Sequence, residues 1–117
     1  MCEKGYKKLI VWRKADELAF QIYRITKDFP WEERSGITSQ LRRSALSVPT
    51  NIAEAMGRQN KNETRQFINI ALGSVGEVEY LLSFSQRLSF ISDDSFMALE
   101  AERQEVGRLL FGLYRSF

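Results

Sequence analysis

The sequence has no histidine and a single cysteine, Cys2, among 117 residues. The commonest metal ligand and general base is therefore missing, and one cysteine can form neither an internal disulfide nor a cysteine-clustered zinc site. Proline occurs twice and glycine seven times, so little interrupts long helices. Seventeen Lys and Arg against fifteen Asp and Glu leave a net charge of only +2, short of a strongly basic nucleic-acid binder. No uncharged stretch approaches the roughly 18 to 20 apolar residues that cross a bilayer, and the opening MCEKGYKK has no apolar signal-peptide core. The expectation is a cytoplasmic protein. Gly-rich phosphate loops, Ser or Cys nucleophile arrangements and zinc-finger spacings are also lacking. These absences argue against an enzyme, and no cofactor or metal is expected.

What is present is a helical pattern. With 44% hydrophobic and 27% charged residues, the chain suits one domain over residues 1–117, with a short N-terminal arm of about ten residues. Apolar residues recur every three or four positions almost throughout. The first stripe, through Val11, Ala15, Leu18, Ile22 and Phe29, predicts a helix from about Trp12 to Asp28, ended by Pro30. The second runs from about Glu33 to Met56 through Ile37, Leu41, Ala45, Val48 and Ile52, and closes at Gly57 and the polar stretch GRQNKN. The third starts near Glu63 and carries Phe67, Ala71, Val75, Val78, Leu82 and Ser85. A flank of Ile70, Ser74, Leu81, Phe84 and Leu88 gives it more apolar surface than one neighbour needs. Ser92 to Ser95, SDDS, reads as an N-cap for a fourth helix through Phe96, Leu99, Val106, Leu109 or Leu110, and Leu113, in which Arg103 must point outward or find a partner. The fold class predicted is all-α, an up-down-up-down four-helix bundle with a proline kink in helix two. At Pro49 the alternatives are one kinked helix or two shorter ones, with the proline in the first turn of the second.

Three constellations stand out. On a helical wheel through Leu41 and Ile52, Gln40, Arg43, Ser47, Asn51, Glu54 and Arg58 form a polar ridge. A solvated face with a Glu54–Arg58 pair explains it plainly, yet short Ser and Asn beside arginine also suit a packed polar interface or phosphate contacts. Glu77 lies among Ile70, Ser74, Leu81 and Phe84, where an unpaired carboxylate is costly to bury, so Arg42, Arg43 or Arg58 is its expected partner unless the flank stays wet. Near the N terminus Lys4, Lys7, Lys8, Arg13 and Lys14 interleave with Tyr6 and Trp12. Lysines of this kind attract phosphate and aromatic rings stack on bases, although Trp12 at a helix start also serves packing. Residues 1–62 hold twelve basic and seven acidic side chains, net +5, and residues 63–117 five and eight, net −3. Such an asymmetry can steer an anionic partner or draw copies of the chain together.

The segments VWRKADELA (Val11 to Ala19), FPWEERSGITSQLRRSALSVPTNIAEAMGR (Phe29 to Arg58) and IALGSVGEVEYLL (Ile70 to Leu82) resemble the four-helix-bundle proteins encoded by intervening sequences in bacterial 23S rRNA genes. The likeness covers roughly Tyr6 to Phe90 and is most specific in QLRRSALSVPTNIAE and IALGSVGE. Accessory proteins of diversity-generating retroelements look similar in the same blocks. The resemblance implies a homopentameric barrel of bundles without known catalysis, a role in binding nucleic acid and, in the retroelement branch, contact with a reverse transcriptase. It places Arg42, Arg43, Pro49, Asn51, Glu54, Arg58 and Glu77 among the family's characteristic positions. One departure is Ala55, where the family's run has glycine.

Two functions follow as expectations. The first is a non-enzymatic, pentameric module that binds RNA or DNA through Arg42, Arg43 and Arg58, supported by Lys7, Lys8, Arg13 and Lys14; five copies carry about +10, enough to attract a polyanion. The second is a protein-interaction scaffold, an accessory subunit of a reverse transcriptase or ribosomal component. There Gln40, Arg43, Ser47, Asn51, Glu54 and Glu77 form a polar interface network. No membrane association is expected in either.

Overall fold

Four one-sided helices bury their apolar stripes against one another. The computed structural model describes residues 5–117 and contains α1 (Ile10–Thr26), α2 (Ile37–Met56), α3 (Lys61–Arg87) and α4 (Asp93–Arg115). Cys2 and Lys4 lie outside the described residues. Single 3-10 turns stand at Gly5–Lys8 and Trp31–Glu33, and no strand occurs among the described residues. Short connections make consecutive helices antiparallel, and contacts of α1 with α2, α2 with α3, α3 with α4 and α4 with α1 close a four-helix bundle. Its longest dimension, 43 Å, matches the ~40 Å expected for the 27 residues of α3 at 1.5 Å per residue.

The core is built from the expected stripes, except that in α3 Ile68 takes the buried position expected for Phe67, which is half-buried. Leu18 and Ile22 of α1, Leu41, Val48 and Ile52 of α2, Ile68, Val78 and Leu82 of α3, and Val106 and Leu110 of α4 are all essentially inaccessible to solvent. By length and composition α3 is apolar enough to cross a bilayer, which the sequence reading did not anticipate. Here its apolar residues divide between this core and an outer face on which Ile70 and Tyr80 are exposed.

Helix ends follow local chemistry. The side chain of Asn60 caps α3 by accepting from the amides of Asn62 at 2.8 Å and Glu63 at 3.3 Å, so the helix starts two residues before the expected Glu63. Ser92 caps α4 as its sequence suggests, with Oγ accepting from the Ser95 amide at 3.1 Å. In contrast, α2 begins four residues later than expected, because the 3-10 turn after Pro30 and the non-helical Gly36 occupy the intervening chain. Between α3 and α4, Ser89 adopts φ 63° while its amide reaches the Gln86 carbonyl and that of Phe90 the Ser85 carbonyl, both at 2.9 Å. That pair of bonds is a Schellman closure with serine in the left-handed position.

α2 runs unbroken through Pro49, so the alternative of two shorter helices is not adopted. The proline removes the donor that would serve the Ala45 carbonyl, but its ring is buried and Val48 and Ile52 on either side are anchored in the core. The indole Nε1 of Trp12 donates to the Pro49 carbonyl at 3.2 Å, tying α1 to α2 at that level.

Candidate nucleic-acid interface

The polar ridge of α2 separates into parts with different surroundings. Ser47 and Asn51 turn toward α3: Ser74 Oγ donates to Ser47 Oγ at 2.7 Å, and Asn51 Nδ2 donates to the carbonyl and hydroxyl of Ser47 at 2.8 and 2.9 Å. Ser44 Oγ meets Glu77 Oε2 at 3.5 Å one turn away. Together these form a polar seam inside the subunit, between the two most extensively packed helices. Glu77 is exposed and has no arginine partner among the described residues, because Arg42 crosses to α1, Arg58 turns to Glu54, and Arg43 stays in solvent. Gln40, Arg43 and Glu54 are exposed and take no part in the seam.

The basic residues singled out from sequence also part company. Arg58 pairs with Glu54 at 2.6 Å, approaches Glu63 at 3.9 Å and lies over the Phe67 ring at 4.7 Å. Lys14 pairs with Glu105 at 2.7 Å across α1 and α4. Arg13 Nε donates to the Lys7 carbonyl at 2.7 Å, and Lys8 is exposed nearby. Trp12 is half-buried, with Tyr6 edge-on at 5.1 Å, and so acts as a packing residue. By contrast, Arg42 is held against α1, with Nε donating to Thr26 Oγ1 at 2.7 Å and Nη2 to the Tyr23 carbonyl at 3.2 Å, over the Tyr23 ring.

Two adjoining clefts on the α1–α2 side collect cations that the sequence reading had left out. One, about 470 Å³, is lined by Phe20, Tyr23, Arg24, Lys27 and Leu46 beside Asp16 and Ala19. The other, about 330 Å³, is lined by Tyr23, Arg34, Thr38, Ser39, Arg42 and Arg43. Tyr23 belongs to both, so they adjoin across its ring. Arg24, Lys27, Arg34, Arg42 and Arg43 are in no ion pair among the described residues, and Asp16 is the one acidic residue in either lining. Three of the arginines sit over aromatic rings: Arg24 over Phe20 at 5.9 Å, Arg34 over Trp31 at 4.2 Å and Arg42 over Tyr23 at 4.6 Å. Arginine held flat on a ring keeps its outer N–H groups available to an anion. Arg24 and Lys27 come from the end of α1 and Arg34 from the α1–α2 connection. The visible signal was the run of aromatic and basic residues from Phe20 to Arg34, which crosses a helix end and so shows no periodicity.

Over residues 7–112 the chain matches the family model described as 23S rRNA-intervening sequence protein. The chain belongs to that family. A crystal structure of a protein of unknown function from the S23 ribosomal protein family, from Bacteroides thetaiotaomicron, is similar to it with a TM-score of 0.79 and 26% identity, covering 90% of this chain and 98% of that one. No curated protein matches the chain.

In this intervening-sequence family member the departure at Ala55 leaves α2 undisturbed: Ala55 is fully buried and the helix continues to Met56 before Gly57 closes it. Acidic chemistry gathers around α4. Arg103 of α4, expected to face outward or to find a partner, is buried and donates to Glu100 from Nε at 2.8 Å and Nη2 at 2.6 Å, with Glu79 of α3 at 3.3 Å. Its hydrogen bonds to Glu100 hold the guanidinium charge more firmly than usual. Partial burial, then the neighbouring Glu17, raise the carboxyl of Glu102, whereas the hydrogen bond from Lys14 lowers that of Glu105. The two charges meet along α1, where Arg24 and Glu102 line one further cleft and Lys14 pairs with Glu105.

Proposed function

We propose that this chain is a non-enzymatic, homo-oligomeric four-helix-bundle protein of the cytoplasm that binds structured nucleic acid through basic residues. The observation that carries this is the pair of adjoining clefts, in which five cations have no ion pair among the described residues, three lie over aromatic rings and Asp16 is the one acidic residue of the lining. Unpaired arginine and lysine attract phosphates without sequence preference, and aromatic faces accept unpaired bases. The working groups in this reading are Arg42 and Arg43 with Arg24, Lys27 and Arg34. Arg58 and Lys14 are committed to carboxylates and contribute less. Five subunits, as the family resemblance suggests, repeat the clefts around a ring.

Sedimentation velocity with a labelled RNA stem-loop at low and physiological salt tests this. The expected result is an oligomer that carries RNA, with log affinity falling against log salt with a slope of about −4 if the five cations each neutralise a phosphate. An oligomer that ignores RNA at low salt would sink it.

A second function, an accessory subunit that docks on a protein such as a reverse transcriptase or a ribosomal component, draws on a different surface. Ile70, Tyr80, Met97 and Phe111 of α3 and α4 are each at least half exposed, more apolar surface than an isolated bundle needs. In that case the pentamer survives but binds no RNA, and the Ile70 and Tyr80 face mediates the contact.

A further inference from the structure

Thr38 is out of keeping with its surroundings. The buried hydroxyls of Thr26, Thr64 and Ser85 each bond a carbonyl one turn earlier in the chain, and those of Ser44 and Ser74 bond across the seam. Thr38 is only 7% exposed and its Oγ1 has no partner at all. A buried hydroxyl left unsatisfied is unfavourable, and native structures fill such positions with water or a ligand. Thr38 lines the cleft that also holds Arg34, Arg42 and Arg43.

The same cleft adjoins the start of α2, a 20-residue helix whose N-cap, Gly36, offers no side chain. The Ile37 amide has only a loose contact with Glu33 Oε1, at 3.4 Å, and the amides of Thr38 and Ser39 have no acceptor among the described residues. Free amides at a helix N-terminus and the positive end of the helix dipole both favour an anion. Arg43 has no partner among the described residues, and Arg34 and Arg42 each retain N–H groups beyond those used on Trp31, Thr26 and Tyr23. Three guanidinium groups and two free amides border about 330 Å³, with the orphaned Thr38 hydroxyl just beneath the surface of the cleft, and match the charge and acceptor-rich shape of one phosphoryl group. Trp31, three-quarters exposed beneath Arg34, offers a flat face at the edge of this arrangement.

We infer that the cleft at the start of α2 is a binding site for a single phosphoryl group of a nucleic-acid strand, with the Trp31 ring stacking on the adjoining base. This rests on the nucleic-acid function proposed above and gives it a defined anchor. Glu33 is the group that a bound phosphate displaces from the helix end.

Titration with inorganic phosphate, followed by NMR at the Thr38 and Ser39 amides and Arg42 Nε, tests the pocket without any nucleic acid. Saturable shifts are expected, weakened by about tenfold or more in an Arg34→Ala, Arg43→Ala double variant and unchanged in Arg65→Ala, on a different face. Shifts that are absent, or equal in the double variant, overturn the site. Thr38→Val keeps the side-chain shape; it is expected to weaken phosphate binding while raising the melting temperature of the free protein, and unchanged phosphate affinity counts against the hydroxyl's part. With a short oligouridine, Trp31→Ala is expected to lower affinity about tenfold, a larger factor than the loss it causes for inorganic phosphate through the release of Arg34 from its ring; equal losses for the two ligands overturn the stacking role. A stem-loop RNA that binds the double variant as tightly as the unaltered protein overturns the pocket but spares nucleic-acid binding elsewhere. Phosphate that binds here while no RNA binds overturns the assignment to a strand, and with it the proposed function.

Discussion

Arg103 shows how much depends on a single side chain in the acidic half of the bundle. Its charge is buried between Glu100, which is mostly shielded, and Glu79, which is 58% exposed. Removing the arginine strands Glu100, so Arg103→Ala is expected to cost about 2 to 3 kcal/mol, below a fully buried pair because Glu79 can rehydrate, whereas Glu79→Ala stays within about 0.5 kcal/mol. Urea denaturation of both variants checks the contrast. Glu102 carries the opposite sign. Its carboxyl is raised in the folded state by burial and by Glu17, so the native state holds this proton more tightly and loses stability as pH rises from the ordinary carboxylate value through the raised one. Glu102→Gln, a mimic of the protonated form, is therefore expected to stabilise at neutral pH only slightly, by about 0.2 kcal/mol once solvent screening of this exposed group is allowed for, with the gain vanishing when wild type and variant are compared at about pH 3.5. The site residues were legible only in part at this scale. A wheel drawn through α2 identifies Ser47, Asn51 and Arg43 as one ridge but carries no information about what α3 places opposite, so a seam within the subunit and a face for partners look alike. Arg24, Lys27 and Arg34 escape because they converge from the end of one helix and the following connection.

Among the elements, the α3–α4 turn makes the sharpest statement. Ser89 holds a left-handed conformation that costs an L-residue roughly 1 kcal/mol, kept in place by the two Schellman bonds and by Phe90 packed on Phe29 at 5.3 Å. Ser89→Gly keeps the bonds and removes the steric cost, so it is expected to stabilise by about 0.5 to 1 kcal/mol in thermal or urea unfolding; destabilisation would mean that the serine side chain matters to the turn. The helices themselves were readable because burial enforces their spacing: Val11, Ala15, Leu18 and Ile22, or Leu41, Ala45, Val48 and Ile52, announce a core face regardless of partner. Starts and turns were harder. The late start of α2 depends on Gly36 and a 3-10 turn at Trp31–Glu33 that apolar periodicity does not encode, and continuity through Pro49 depends on tertiary support from Trp12 and the core. Serine in a left-handed position leaves no signature in sequence, since glycine is the usual occupant.

For the whole molecule, the division of charge follows the helices, with α1 facing both the cationic clefts and the acidic α4. The unpaired cations lie in clefts on the α1–α2 side, Arg103 is bracketed by carboxylates between α3 and α4, and exposed Ile70 and Tyr80 occupy the outer ridge of α3. If assembly uses that ridge, Ile70→Asp with Tyr80→Asp is expected to yield a monomer that unfolds near the melting temperature of the parent subunit, because both side chains are more than half exposed and contribute little to the core. A sedimentation run that returns the parent mass would move the assembly surface elsewhere. The two tryptophans provide a means of following all of this. Trp12 is half-buried and bonded to the Pro49 carbonyl, whereas Trp31 is three-quarters exposed beneath Arg34. Their fluorescence therefore separates by environment: the shorter-wavelength emission of Trp12 follows the docking of α1 on α2, and the longer-wavelength emission of Trp31 reports the water around the connection between them. Replacing either tryptophan with phenylalanine leaves the other as an intrinsic probe, of helix docking in one case and of surface occupancy in the other, with no label attached.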